Sequence, residues 1–259
     1  MLWIVILVAL YVLMICPSLK RKDLSALKGK RYAHRGLHDG NRRVTENMAE
    51  AFRLARQKGL GVELDIQCSK DGEVMVFHDE TLQRVLGTPG KLDEKTAEEL
   101  KGMGVPTLGE TLRILKDAPL IVEVKGHGDW RTATDKAAEL LKNYPGPWCM
   151  ESFHPQVLMH LKKRHPGIIR GQLALGGDIH KLGHPLREFV QKHLLHLFLS
   201  RPDFVAYELG ERPLSWRIVK TVFRLPMACW TVKGEAQERM AREQRYDMII
   251  FEEDVSKED

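Results

Sequence analysis

Apolar and polar positions alternate in two registers along the chain. From residue 31 onward, runs of period two are each followed by a run of period 3.6. The first period marks strands and the second amphipathic helices. The pattern predicts strands at 31–34 and 74–77, a central strand opening at Gly61, and strands at 120–125, 148–153, 168–175, 204–209, 227–232 and 248–253. Helices are expected at 48–58, 93–101, 107–117, 131–142, 155–164, 186–199, 214–223 and 235–244. Strand–helix alternation at this spacing builds parallel βαβ units and an α/β fold. Nine strands are one too many for a TIM (β/α)8 barrel. Val74–Phe77 lies one turn beyond the strand before it, so it is expected as an antiparallel hairpin partner outside the barrel.

The N-terminus breaks the alternation. Residues 1–16 carry no charged side chain. Extended to Leu19, the run makes a helix of ~28 Å, about one bilayer core. It lacks the basic start and the small-residue cleavage site of a signal peptide. Residues 1–19 are therefore expected as a transmembrane or membrane-anchor helix, 20–30 as a basic linker, and 31–259 as one barrel domain. Lys20, Arg21, Lys22, Lys28, Lys30 and Arg31 follow the run. The positive-inside bias puts the barrel on the cytoplasmic side of a single-pass anchor.

Composition narrows the partners. With 259 residues, 43% hydrophobic and 29% charged, the chain suits one large domain. The net charge of +5 is spread among acids, which favours anionic small molecules or lipid surfaces over a nucleic-acid groove. Cys16, Cys68, Cys149 and Cys229 are far apart with no CxxC spacing, so neither a zinc site nor a disulfide framework is expected.

The chemistry starts at Glu63 and Asp65, which alternate with Val62, Leu64 and Ile66. Both carboxylates leave the strand on one face, ~6–7 Å apart. Side by side they repel unless positive charge sits between them, and a hard divalent cation such as Mg2+ or Ca2+ meets that need. Acids simply facing water are the other reading. The Lys70-Asp71-Gly72 turn and the return run ending in His78-Asp79 bring an imidazole beside the pair. His34, Glu63, Asp65, Glu123 and Lys125 all fall near the ends of their strands, where barrel active sites gather. Asn47 is placed to cap the helix at 48–58, and Thr107-Leu-Gly-Glu110 reads as a capping box.

Together these residues resemble the glycerophosphodiester phosphodiesterase family. The motifs are His34-Arg35-Gly36, Glu46-Asn47, Glu63-Leu64-Asp65, Asp71-Gly72, Val76-Phe77-His78-Asp79, Pro106-Thr107-Leu108, Glu123-Val124-Lys125, Ser152-Phe153 and Trp230-Thr231. They stand in order from about residue 31 to 253. The resemblance implies metal-dependent hydrolysis of glycerophosphodiesters to glycerol phosphate and an alcohol. It implies Glu63, Asp65 and Glu123 as ligands of one divalent cation, Mg or Ca, and His34 and His78 as the acid/base pair. Arg35 and Lys125 would hold the phosphate, Trp230 would wall the pocket and Glu46 would steady Arg35. Glu151 is read as a partnered strand residue and His127 as a solvated loop residue. Gly126 stands where the family commonly has Pro, and the chain ends its last strand in an unusually acidic Glu252-Glu253-Asp254.

Other readings remain beside this one. Lysophospholipase D action on lysophospholipids, a phospholipase C/D-like lipid phosphodiesterase, or a non-catalytic membrane-tethered binding module would use the same barrel. The last would be expected to lack at least one ligand or His. Residues 186–199 carry an apolar stripe through Leu186, Phe189, Val190, Leu194, Leu197 and Phe198. Leu195 and Leu199 lie off that stripe, so an interfacial helix beside the mouth is an alternative to plain packing on the barrel wall.

Overall fold

The computed structural model describes residues 1–20, 22–176 and 184–253. In chain order its elements are α1 (Leu2–Ile15), β1 (Arg31–His34), α2 (Ala49–Gln57), β2 (Gly61–Cys68), β3 (Val74–Val76) and α3 (Gln83–Leu86). After a 3-10 turn, Leu92–Glu94, come α4 (Ala97–Gly102), α5 (Leu108–Leu115), β4 (Leu120–Val124), α6 (Trp130–Leu141), β5 (Trp148–Ser152) and α7 (Pro155–Arg164). The chain continues through β6 (Arg170–Ala174), α8 (Pro185–Lys192), α9 (Leu197–Ser200) and β7 (Phe204–Glu208). It finishes with α10 (Leu214–Thr221), β8 (Met227–Lys233), α11 (Gly234–Glu243) and β9 (Met248–Glu252).

Eight parallel strands close a ring in the order β1-β2-β4-β5-β6-β7-β8-β9, because β1 pairs with both β2 and β9. This is the expected TIM barrel. The ninth strand, β3, pairs antiparallel with the end of β2 through Ile66–Val76 and lies outside the ring.

Alternation along each strand decides what lies inside. Val62, Leu64, Val122, Val124 and Met150 turn outward into the layer beneath the helices. Tyr32, Ile121, Cys149, Phe204, Ala206, Ala228, Met248 and Ile250 turn inward and fill the lower barrel. Leu24 and Leu27 join that interior from below, both buried, and the Tyr32 hydroxyl donates to the Leu27 carbonyl at 2.7 Å. Residues 22–30, expected as a basic linker, are thus the floor of the barrel. The excursion over 80–106 has its own small core of Met75, Phe77, Leu82, Leu92, Leu100 and Val105. The expected helix at 93–101 is split, because Thr96 caps a new start with a capping box to Glu99.

Two further expectations change. The N-terminal helix ends at Ile15 rather than Leu19, a 14-residue element of ~21 Å against a hydrocarbon core of ~30 Å. Among the described residues no helix is long and apolar enough to cross a membrane. Its last turn packs on the barrel through Tyr11 and Ile15, while Leu2 to Leu10 stand largely exposed. The chain after it is pinned beside the start of β7: Arg201 Nη1 donates to Cys16 O at 2.7 Å, and Ser18 N donates to Pro202 O at 3.1 Å.

The second change is in 186–199, which is not one helix. Leu194 takes φ 53° and separates α8 from α9. The buried residues of α8 are the polar Glu188 and Gln191, whereas Leu186 and Phe189 face out. The four cysteines are free thiols, three of them buried.

Candidate active site

The site is built where the strands end. His34 closes β1, and the chain then turns sharply through Arg35 at φ 56° and Gly36 at φ 80°. A side chain at Gly36 would meet Ala51 Cβ at 2.8 Å, which explains the glycine of the His-Arg-Gly run. The turn aims the Arg35 backbone N–H at Glu63 Oε2, 3.1 Å away. Its guanidinium meets Glu46 Oε1 at 2.7 Å and Asp65 Oδ2 at 3.4 Å. Asn47 does not cap α2, whose N-cap is Met48 without a side-chain bond. Its amide donates to Asp65 Oδ2 at 2.8 Å instead.

Glu63 and Asp65 on β2 and Glu123 on β4 offer oxygens that all lie within 4.8 Å of one another, and all three residues are buried. Asp65 and Glu123 are register partners, which is why two strands suffice. Lys125 bridges them, its Nζ 2.7 Å from Asp65 Oδ1 and 2.7 Å from Glu123 Oε1. Burial pushes the Glu63 carboxyl well above its ordinary range, with Asp65 and Glu123 adding to the effect. Burial acts the same way on Asp65, but Lys125, His78 and Arg35 override it and hold that carboxyl well below its usual range. Three buried oxygen donors with excess negative charge are the donor set of a hard divalent cation.

Each imidazole is tied by Nδ1 to a carboxylate. His34 Nδ1 lies 2.7 Å from Glu252 Oε1 at the end of β9, leaving Nε2 3.9 Å from Glu63 Oε2. Glu252 also holds Lys233 through its second oxygen at 2.5 Å. Burial lowers the His34 pKa to about 4, against the pull of the Glu252 bond. His78 Nδ1 lies 2.5 Å from Asp79 Oδ1. Arg84 then links Asp79 to Glu46, at 2.6 Å from each. The chain Asp79–Arg84–Glu46–Arg35 thus couples one imidazole to the arginine beside the other.

His34, Arg35, Glu63, His78, Glu123 and Trp230 line one cavity of about 260 Å3. Trp230 is half-buried at its edge, ring to ring with Phe153 at 5.4 Å. A wider cavity of about 760 Å3 adjoins it, lined by residues including Lys125, His154, Leu175, Arg187 and Trp230. His34, Arg35, Glu63, Asp65, His78, Glu123, Lys125 and Trp230 therefore lie together at this mouth, with Glu46 directly behind Arg35. His127 is bound at 2.7 Å to Gln67 Oε1. Gly126 stands against the His154 ring, which a Cβ there would overlap at 2.1 Å; this accounts for its departure from the family pattern. Two partners escaped the sequence reading, Arg84 and Glu252 as the carboxylate bound to His34, and Glu151, read as a partnered strand residue, has no hydrogen-bond partner for its Oε2 among the described residues. Only the acidic ending of the last strand had signalled the second of these.

The glycerophosphoryl diester phosphodiesterase family model matches residues 34–175. A glycerophosphodiester phosphodiesterase of Caldanaerobacter subterraneus subsp. tengcongensis is 30% identical over 185 residues, 64% of this chain and 74% of that protein. Glycerophosphodiester phosphodiesterase 1 of Rattus norvegicus is 28% identical over 178 residues, 59% of this chain and 52% of its own length. The chain thus spans about half of that mammalian relative. Among solved structures, an Oleispira antarctica phosphodiesterase in complex with the product sn-glycerol-3-phosphate superposes with TM-score 0.69 at 20% identity, over 86% of this chain and 93% of that one. A glycerophosphodiester phosphodiesterase of Thermotoga maritima gives 0.64 at 26% identity, over 85% and 93%. A closed barrel of eight parallel strands, a carboxylate cluster at its mouth and a family match across more than half of its length lead to one conclusion: the chain belongs to the glycerophosphoryl diester phosphodiesterase family.

Proposed function

We propose that this protein hydrolyses glycerophosphodiesters to glycerol phosphate and an alcohol, using His34 and His78 as its acid/base pair. The observation that carries the reading is the single cavity lined by both imidazoles, Arg35, Glu63 and Glu123. Glu63, Asp65 and Glu123 are the residues that would hold a divalent cation, Mg or Ca. When bound, it supplies positive charge against the phosphoryl oxygens as negative charge develops there. Arg35 and Lys125 carry fixed positive charge at the same place and orient the diester. The Glu252 bond fixes Nδ1 of His34, so Nε2 is the nitrogen that takes a proton from the nucleophile, water or the substrate's own glycerol hydroxyl. His78, held by Asp79, gives its proton to the departing alkoxide as the P–O bond breaks. Glu46 keeps Arg35 and Arg84 in place, and Trp230 shields the cavity from bulk water.

A second substrate reading, lysophospholipase D action, rests on the wider cavity, where Phe153, Leu175 and Trp230 offer room for an apolar tail. For residues 1–19 we propose membrane association with the barrel on the cytoplasmic side. The exposed apolar α1 and the basic residues after it support that placement.

One experiment tests the activity. A panel of glycerophosphodiesters and lysophospholipids is incubated with the protein stripped of metal and then reloaded. Turnover should vanish on stripping and return with Mg2+ or Ca2+. Glu63→Gln should lose both divalent-cation binding and turnover while keeping its folded circular dichroism spectrum. Full activity in chelator, or unchanged metal content in the variant, overturns the site.

A further inference from the structure

Glu151 sits on the inward face of β5, register partner of Glu123, and only 1% of it is exposed. It lines the smaller cavity with Glu63, Glu123 and both imidazoles, and its Oε2 has no hydrogen-bond partner among the described residues. A buried carboxyl oxygen without a partner is costly, so such an atom in a cavity implies a partner that arrives with the ligand. We propose that Glu151 reads a free hydroxyl of the substrate's glycerol group, and so sets the preference for glycerol diesters over diesters of simple alcohols. This inference rests on the function proposed above.

The alternatives for that oxygen fail on geometry and charge. The cation is served by Glu63, Asp65 and Glu123, and Glu151 is outside the group whose oxygens converge. Phosphoryl oxygens have Arg35 and Lys125 as their proposed partners and repel Glu151 whenever it is ionised. Residues below leave that oxygen without a partner: the Tyr32 hydroxyl donates to the Leu27 carbonyl, and Cys149, two positions earlier on the same face, packs in the apolar interior and makes no hydrogen bond to Glu151 Oε2 among the described residues. A hydroxyl fits in either state of the carboxyl, because it can donate to an ionised oxygen and accept from a protonated one. Size decides which end of the diester it belongs to. Glu151 borders the cavity of about 260 Å3 and not the one of about 760 Å3. The short polyol fits the former, and the bulkier alcohol has room in the latter.

The test compares a glycerophosphodiester with the analogue whose glycerol is replaced by propane-1,2-diol, which keeps the hydroxyl beside the phosphoester and lacks the terminal one, in wild type and in Glu151→Met, which keeps the volume but removes the polar oxygens. Glu151→Val, suited to a strand, is read in the same way should the Met variant fold poorly. Selectivity, the ratio of kcat/KM for the two diesters, should fall by about 10- to 100-fold, mostly through KM. Glu151→Gln, which can still bond a hydroxyl, should recover most of it. In parallel, sn-glycerol 3-phosphate and inorganic phosphate are titrated into the metal-loaded proteins. The first should bind more weakly to the Met variant by a similar factor, with no matching loss for the second. Because this binding is read without turnover, it tests Glu151 even in a protein that cleaves neither diester, an outcome that would sink the activity alone. Equal losses on both diesters and both ligands, or reduced metal content in the variants, overturn the proposal and make Glu151 a packing residue or a metal ligand.

Discussion

At the scale of residues, the site depends on nitrogens being assigned before substrate arrives. Both imidazoles spend Nδ1 on a carboxylate, at 2.7 Å for His34 and 2.5 Å for His78, which leaves Nε2 for the proton transfer proposed above. His34→Ala and His78→Ala should therefore each lower kcat by ~10²-fold or more, with metal content near wild type. Metal loss from either variant makes that histidine a ligand. His34, Glu63, Asp65, Glu123 and Lys125 were legible in the sequence because strand alternation alone sends them inward and the barrel gathers strand ends. Glu252 was visible only as an odd acid, since its bond to His34 joins residues 218 apart in sequence and exists only because β9 closes the ring on β1. Asn47 was misassigned for a chemical reason. The side chain that suits a helix cap also suits a buried carboxylate, and Asp65 wins it.

At the scale of elements, periodicity located every barrel strand, because each must bury one face outward and fill the interior with the other. It said little about segments whose role is to plug or to turn. Residues 22–30 looked like a linker by charge, yet Leu24 and Leu27 are inside the barrel and Lys22 meets Asp203 at 3.1 Å. Leu27→Ala should destabilise the protein by about 2–4 kcal/mol, the usual cost of a cavity in a closed interior; an unchanged melting temperature would mean that the floor is dispensable. Removing residues 1–30 should be far worse than removing 1–14, and comparing soluble yield and thermal unfolding of the two truncations checks this. The stripe over 186–199 failed as a single helix because periodicity cannot report a left-handed residue in mid-run, and Leu194 is one.

At the scale of the whole molecule, the chain enters its barrel from below. The residues just after α1 are bound to Arg201 and Pro202, at the start of β7, whereas the acids and imidazoles cluster where the strands end. Deleting residues 2–14 should abolish binding to anionic liposomes and leave kcat/KM on soluble glycerophosphodiesters within about twofold, since nothing in the proposed mechanism touches α1. Vesicle binding that survives the deletion would shift attention to Leu186 and Phe189, the exposed apolar residues of α8. On the membrane association proposed for α1, the protein would be moored by its floor, with its opening facing away from the bilayer. An enzyme so placed would meet molecules that have already left the bilayer, and its turnover would follow their concentration in water rather than their density in the lipid sheet.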